Sequence, residues 1–213
     1  MNTMHIAGNF PHTEDFNFDT YWLGQTKAHI ETAEATFGRL EGAVYKWVEM
    51  AVENQRKGCK IMFFGNGGSS SDAQHLAAEM NVRLKADRKP LSGLCLTLDA
   101  AQMTACANDY GYDEIFARQV QALGRPGDIA VGLTTSGNSP NVLRALEVAR
   151  KMGIYTVGLT GLPGGKIVSE RYCDHTIIVP HTDTARIQEM HITLGHIFVG
   201  ALERTLGLVI DPK

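Results

Sequence analysis

A chain of 213 residues is long enough for one α/β domain with a substantial core. With 44% hydrophobic and 20% charged residues its composition is ordinary for a globular protein, and a net charge of −3 gives no support to nucleic-acid binding. No apolar run reaches the length of a membrane span, and the opening MNTMHIAGNFPHTEDF lacks the basic and apolar regions of a signal peptide.

Residues 1–19 read as a polar N-terminal arm, and residues 20–213 as one domain. From Thr20 to Arg56 apolar residues recur at helical spacing (Tyr21, Ile30, Phe37, Val44, Trp47, Val48, Val52), which predicts a helical extension with a break near Gly38 or Gly42. Five short strand-like runs follow: Ile61–Phe64, Leu94–Leu98, Ile129–Leu133, Thr156–Leu159 and Thr176–Val179. Helical patterns fall at Asp72–Lys85, Ile115–Ala122, Pro140–Met152 and Ala185–Leu206, and Asn108-Asp109 closes a helical segment after the second strand. This alternation predicts an α/β fold with a doubly wound, mainly parallel five-stranded sheet. Cys59, Cys95, Cys106 and Cys173 form no CxxC pair and read as buried free thiols, in keeping with a reducing cytoplasm.

The chemistry concentrates after the first strand, in Gly65-Asn66-Gly67-Gly68-Ser69-Ser70-Ser71. Backbone N–H groups and hydroxyls at a helix N-terminus suit a phosphate. The loop is neither a GxGxxG fingerprint, since position 70 is serine, nor a P-loop, since no Gly-Lys-Ser/Thr follows. Such a loop on its own could be a turn whose glycines relieve strain. A second loop after the third strand, Thr134-Thr135-Ser136-Gly137-Asn138-Ser139, repeats the pattern, with Ser139 as a natural N-cap and Pro140 at the first helical position. Hydroxyl-rich loops at the carboxyl ends of parallel strands are where open α/β sheets bind ligands. Ser69, Thr135, Ser136 and Ser139 are therefore expected to converge on one anion. One turn apart on the first of these helices stand His75 and Glu79, an imidazole and a carboxylate suited to acid/base work or metal ligation. In the last helix, His191 reads as a core-edge group.

The motifs GNGGSSSDAQH (65–75), ANDYGYDEIFARQV (107–120), TTSGNSPNV (134–142), LTGLPGGK (159–166) and RIQEMHITLGH (186–196) together resemble the phosphoheptose isomerases of the sugar isomerase (SIS) fold, a three-layer sandwich. The resemblance implies conversion of D-sedoheptulose 7-phosphate to D-glycero-D-manno-heptose 7-phosphate, the first step toward the nucleotide-activated heptoses of bacterial envelope polysaccharides. It also implies a homotetramer and one zinc ion per subunit. By resemblance the metal ligands are His75, Glu79, Gln188 and His196, with Glu79 and His196 as the acid/base pair. Substrate contacts fall on Asn66, Gly67, Gly68, Ser69, Glu79, Asn108, Asp109, Thr134, Thr135, Ser136, Ser139 and Gln188. Some members carry an acidic residue directly before the RIQ arginine, where this chain has Ala185, with Asp183 nearby. Non-catalytic SIS proteins, including a replication-initiation partner, lack parts of the His/Glu/Gln/His set, and other sugar-phosphate isomerases share the fold. Gln188 and His196 are eight residues apart, about 12 Å along a straight helix. The expectation from this spacing is that one of the set comes from a neighbouring chain, which gives interfacial active sites; a helix distorted near Gly195 is the alternative.

Overall fold

The computed structural model describes residues 16–210. Most of the expected N-terminal arm lies outside them, and its last two residues already belong to helix α1, Phe18–Arg56. Asn17 caps this helix by accepting the Thr20 N–H at 2.8 Å. The expected break at Gly38 or Gly42 is absent, and a side chain at either would meet nothing within 4 Å. Each glycine costs about 1 kcal/mol of helix propensity. Burial of Val44, Trp47, Val48, Ala51 and Val52 outweighs that, with the Trp47 indole stacked on Phe198 at 3.7 Å between ring centroids.

The sheet is parallel throughout. Strands β1 (Ile61–Gly65), β2 (Gly93–Cys95), β3 (Ile129–Leu133), β4 (Tyr155–Gly161) and β5 (His175–Val179) lie in the order β2-β1-β3-β4-β5. Ile61 and Phe63 face one layer, where α1, α2 (Gly68–Asn81) and α7 (Thr184–Thr205) pack. Met62 and Phe64 face the other, which holds α4 (Ile115–Leu123) and α5 (Pro140–Lys151). Helix α3 (Ala100–Tyr110) is the segment that ends at Asn108-Asp109, and a short α6 (Gly165–Ser169) precedes β5. All four cysteines are free thiols, but only Cys95 is buried; the others are partly exposed. No helix among the described residues is long and apolar enough to cross a membrane.

This strand order reverses direction between β1 and β3, the place where such sheets bind ligands. The register pairs Gly65 with Leu133, so the segments starting at Asn66 and Thr134 leave adjacent strands side by side.

Candidate active site

The first loop is shorter than its sequence suggests. Helix α2 begins at Gly68, four residues before the expected Asp72, so Ser69, Ser70 and Ser71 lie in its first turns. Gly67 makes the turn at φ 55, and its carbonyl accepts the N–H groups of Ser70 (3.0 Å) and Ser71 (3.3 Å). The chain is tight here: a Cβ on Gly65 would lie 2.8 Å from both the Leu133 carbonyl oxygen and the Ser69 Cβ. Ser69 is buried, whereas Gly67 and Gly68 are exposed.

In the second loop the Thr134 and Ser139 hydroxyls share a hydrogen bond of 2.9 Å, and the Ser136 Oγ accepts the Asn138 N–H. The glycines of LTGLPGGK buttress this loop. A side chain on Gly137 would strike the Gly164 carbonyl, and the Lys166 N–H donates to Asn138 Oδ1 at 2.9 Å. Asn66 and Asn141 join the two loops through their amides. At the end of α3, Asn108 and Asp109 are exposed and bond to each other, Nδ2 to Oδ1 at 2.8 Å.

Beside these loops α2 and α7 run in the same direction in close contact. Gly195 makes this possible, since a Cβ there would lie 2.4 Å from Leu76 Cδ2. This contact, in an uninterrupted α7, is the role of Gly195, and it corrects the idea of a helix distorted there. His75 and Glu79 of α2 thereby meet His196 of α7 within one chain. His75 Nε2 lies 2.9 Å from His196 Nε2 and 3.3 Å from Glu79 Oε1, with the rings edge to face. Both Nε2 atoms cannot carry the proton between them, so one imidazole accepts from the other. Glu79 Oε2 is buried with no hydrogen-bond partner.

One ligand atom from each of these three residues lies within 4.8 Å of the other two. Two imidazole nitrogens and a carboxylate with an unused, buried oxygen are a donor set that suits zinc. Gln188 is set against the first turn of α2, its amide 2.7 Å from where a Gly68 Cβ would be. The argument from spacing that one of the set must cross from a neighbour does not apply to Glu79 and His196. Asp183, near the position where some members have an acid, is occupied as the N-cap of α7, accepting the Ala185 and Arg186 N–H groups. Those contacts, the Arg186 N–H foremost, hold its carboxyl below the usual range.

Sequence reasoning passed over three residues here. Asp72 lies one turn before His75; burial pushes its carboxyl up to about 6 against the pull of His75, and its Oδ2 has no partner. The i,i+3 spacing to His75 was the available signal. Arg88, in the segment after α2, donates to the Glu79 carbonyl at 2.7 Å. Asn141 stands within a motif already quoted, but nothing local distinguishes it from a solvated residue in the first turn of a helix.

The SIS domain family model matches residues 24–161. The chain is 50% identical to a phosphoheptose isomerase from Paramagnetospirillum magneticum over 87% of its own length and 96% of that protein's. It is 48% identical to one from Rhodospirillum rubrum, over 85% of this chain and 97% of the other. The structure of a phosphoheptose isomerase from Neisseria gonorrhoeae superposes with a TM-score of 0.83 at 36% identity, covering 88% of this chain and all of that one. With that fold and those relatives, the chain belongs to the SIS-domain family and, within it, to the phosphoheptose isomerases, a family of sugar-phosphate isomerases.

Proposed function

We propose that this enzyme converts D-sedoheptulose 7-phosphate to D-glycero-D-manno-heptose 7-phosphate through an enediol. The observation that carries the reading is Glu79, which clusters with His75 and His196 beside two anion-type loops, its Oε1 3.3 Å from His75 Nε2 and its Oε2 buried without a partner. Glu79 removes a proton from C1 of the ketose and returns it to C2. His196 takes the O1 hydroxyl proton and supplies one to O2, so the carbonyl moves from C2 to C1. An imidazole suits that exchange near neutral pH. His75 Nε2 lies between Glu79 Oε1 and His196 Nε2 and keeps the two side chains together.

Zinc held by His75, Glu79 and His196 would polarise the substrate carbonyl and stabilise the enediolate. Gln188, implied as a fourth ligand, lies at the Gly68 end of α2. The phosphate is assigned to Ser69, Thr135, Ser136 and Ser139 with the N–H groups of the first loop. The sugar chain is assigned to Asn66, Gly67, Gly68, Thr134, Asn108, Asp109 and Gln188.

A homotetramer with sites at its interfaces agrees with the surface. The outward side of α1 carries exposed Phe18, Tyr21, Trp22, Leu23, Ile30 and Phe37. An apolar groove between α1 and α7 includes Ile197, next to His196, so a second copy seated there would border the site. Native mass spectrometry reads the assembly directly. The cytoplasm suits the free thiols and a phosphorylated substrate.

Incubation with sedoheptulose 7-phosphate in D2O, followed by NMR, tests the reaction. Aldose formation is expected, with deuterium at C2 in the fraction of turnovers in which the Glu79 carboxyl exchanges its proton with solvent before returning it. Tight binding of the ketose without turnover would instead indicate a binding protein.

A further inference from the structure

The side-chain amides of Asn66 and Asn141 lie face to face. Asn66 Nδ2 donates to Asn141 Oδ1 at 2.9 Å, and Asn141 Nδ2 donates back to Asn66 Oδ1 at 2.8 Å. The Val142 N–H also reaches Asn141 Oδ1 at 2.9 Å. A backbone N–H can only donate, so this contact fixes which end of the Asn141 amide is oxygen. The Tyr112 hydroxyl donates to Asn66 Oδ1 at 3.1 Å. Each amide oxygen therefore accepts two hydrogen bonds, its full capacity.

The three residues come from three different segments. Asn66 opens the first loop, Asn141 stands in the first turn of α5 just past the second, and Tyr112 follows α3, which carries Asn108 and Asp109. Asn141 is 1% exposed and cannot itself reach a ligand in solvent. The Asn66 oxygen has no lone pair left for a sugar hydroxyl.

We propose that Asn141 is a positioning residue: its amide, locked to that of Asn66, holds the two anion loops in register, and Tyr112 ties the α3 segment to the same point. Asn66 then serves the ligand by placing its loop, and its side-chain oxygen is spent on that task. The inference rests on the reading that these loops hold the phosphate of the substrate. Two loops that must contact one anion bind it well only if their spacing is fixed beforehand.

The test compares Asn141→Ala with Asn54→Ala. Asn54 is also a buried asparagine, 4% exposed, but it bonds the Gly127 and Lys60 carbonyls at the opposite end of the sheet. Both variants are expected to lower the melting temperature. Only Asn141→Ala is expected to raise the Kd for inorganic phosphate and the KM for the ketose phosphate, by about tenfold, with kcat changed less than about threefold. Tyr112→Phe should raise both constants by a smaller factor. Should Asn141→Ala not fold, Asn141→Ser replaces it, since serine is well tolerated at a helix N-terminus.

Phosphate affinity within about twofold of wild type, whatever happens to the melting temperature, overturns the proposal. So does an equal loss of affinity in Asn54→Ala, because the effect would then be general destabilisation. Wild-type protein that binds phosphate without isomerising the ketose sinks the reaction assigned above and leaves the phosphate measurement to decide this inference. Wild-type protein without phosphate affinity sinks the inference itself.

Discussion

Arg88 and Glu203 form an ion pair whose side chains are 0% and 1% exposed, with Nε and Oε2 3.0 Å apart. The same guanidinium donates to the carbonyls of Glu79 at 2.7 Å and Met80 at 2.9 Å, at the C-terminal end of α2. Glu203 stands on α7, so the pair ties the helix that carries Glu79 to the helix that carries His196. Removing one member leaves a buried charge uncompensated. Glu203→Ala is expected to destabilise the protein by about 3–5 kcal/mol in urea titrations. Arg88→Met combined with Glu203→Leu should recover part of that loss, but not the capping of the two carbonyls.

Glu79→Gln keeps the shape of the side chain and removes the base. Turnover is expected to fall by at least ~10²-fold. His75→Ala should act first on metal content, read by elemental mass spectrometry, with activity partly restored by added zinc. Near-normal turnover in Glu79→Gln would exclude Glu79 as the essential base.

Because Glu79 and His196 meet within one chain, mixing Glu79→Gln subunits with His196→Ala subunits should restore no activity. Mixed assembly is checked by native mass spectrometry. Recovered turnover in verified hetero-oligomers would show that the working pair crosses a subunit boundary.

Gly195→Ala places a methyl group 2.4 Å from Leu76 Cδ2. The helices must separate, at about 1–3 kcal/mol for overpacking, and His196 moves away from His75. A fall in kcat larger than the fall in stability is expected. Adding Leu76→Val should return some of both, since the two positions share one contact.

His191 is fully buried in α7, and neither ring nitrogen closes a hydrogen bond of normal geometry. Burial holds its pKa down to about 4, with only partial compensation from the Thr160 backbone. The folded state therefore binds fewer protons than the unfolded chain between about pH 6.5 and pH 4. The neutral imidazole's contribution is complete above the upper value and is lost as pH falls toward the lower. The loss is roughly 3 kcal/mol. His175, also depressed mainly by burial, acts in the same direction. His191→Leu should flatten the acid side of a stability profile measured by urea titration. An unchanged profile would contradict the assignment.

The five strands and the alternation of layers were legible because strand runs such as Ile129–Leu133 are continuous, short and bounded by turn residues. The site loops were legible because hydroxyls and glycines cluster there beyond the needs of a turn. Two kinds of feature were not. Glycine at 38 and 42 argued locally for a break, yet tertiary burial of the C-terminal half of α1 overrode propensity. The meeting of His196 with His75 depends on how closely two helices pack, a distance set by Gly195 against Leu76, 119 positions away in sequence. Spacing within one helix carried no information about it. Asn141 and Arg88 were invisible for a similar reason: their partners lie in other segments.

The contact between α2 and α7 is made of two interlocked fittings that point in opposite directions. At one end a side chain of α7, Gln188, fills the space over Gly68 of α2; at the other a side chain of α2, Leu76, fills the space over Gly195 of α7. Sliding α7 along α2 either way drives one of these side chains into the backbone of the opposing helix. The alignment of His196 with His75 is thus fixed by shape, before any ion or substrate arrives. A side chain at position 195 needs a smaller residue at 76, so sequences that lose the glycine at 195 should carry a matching reduction at 76.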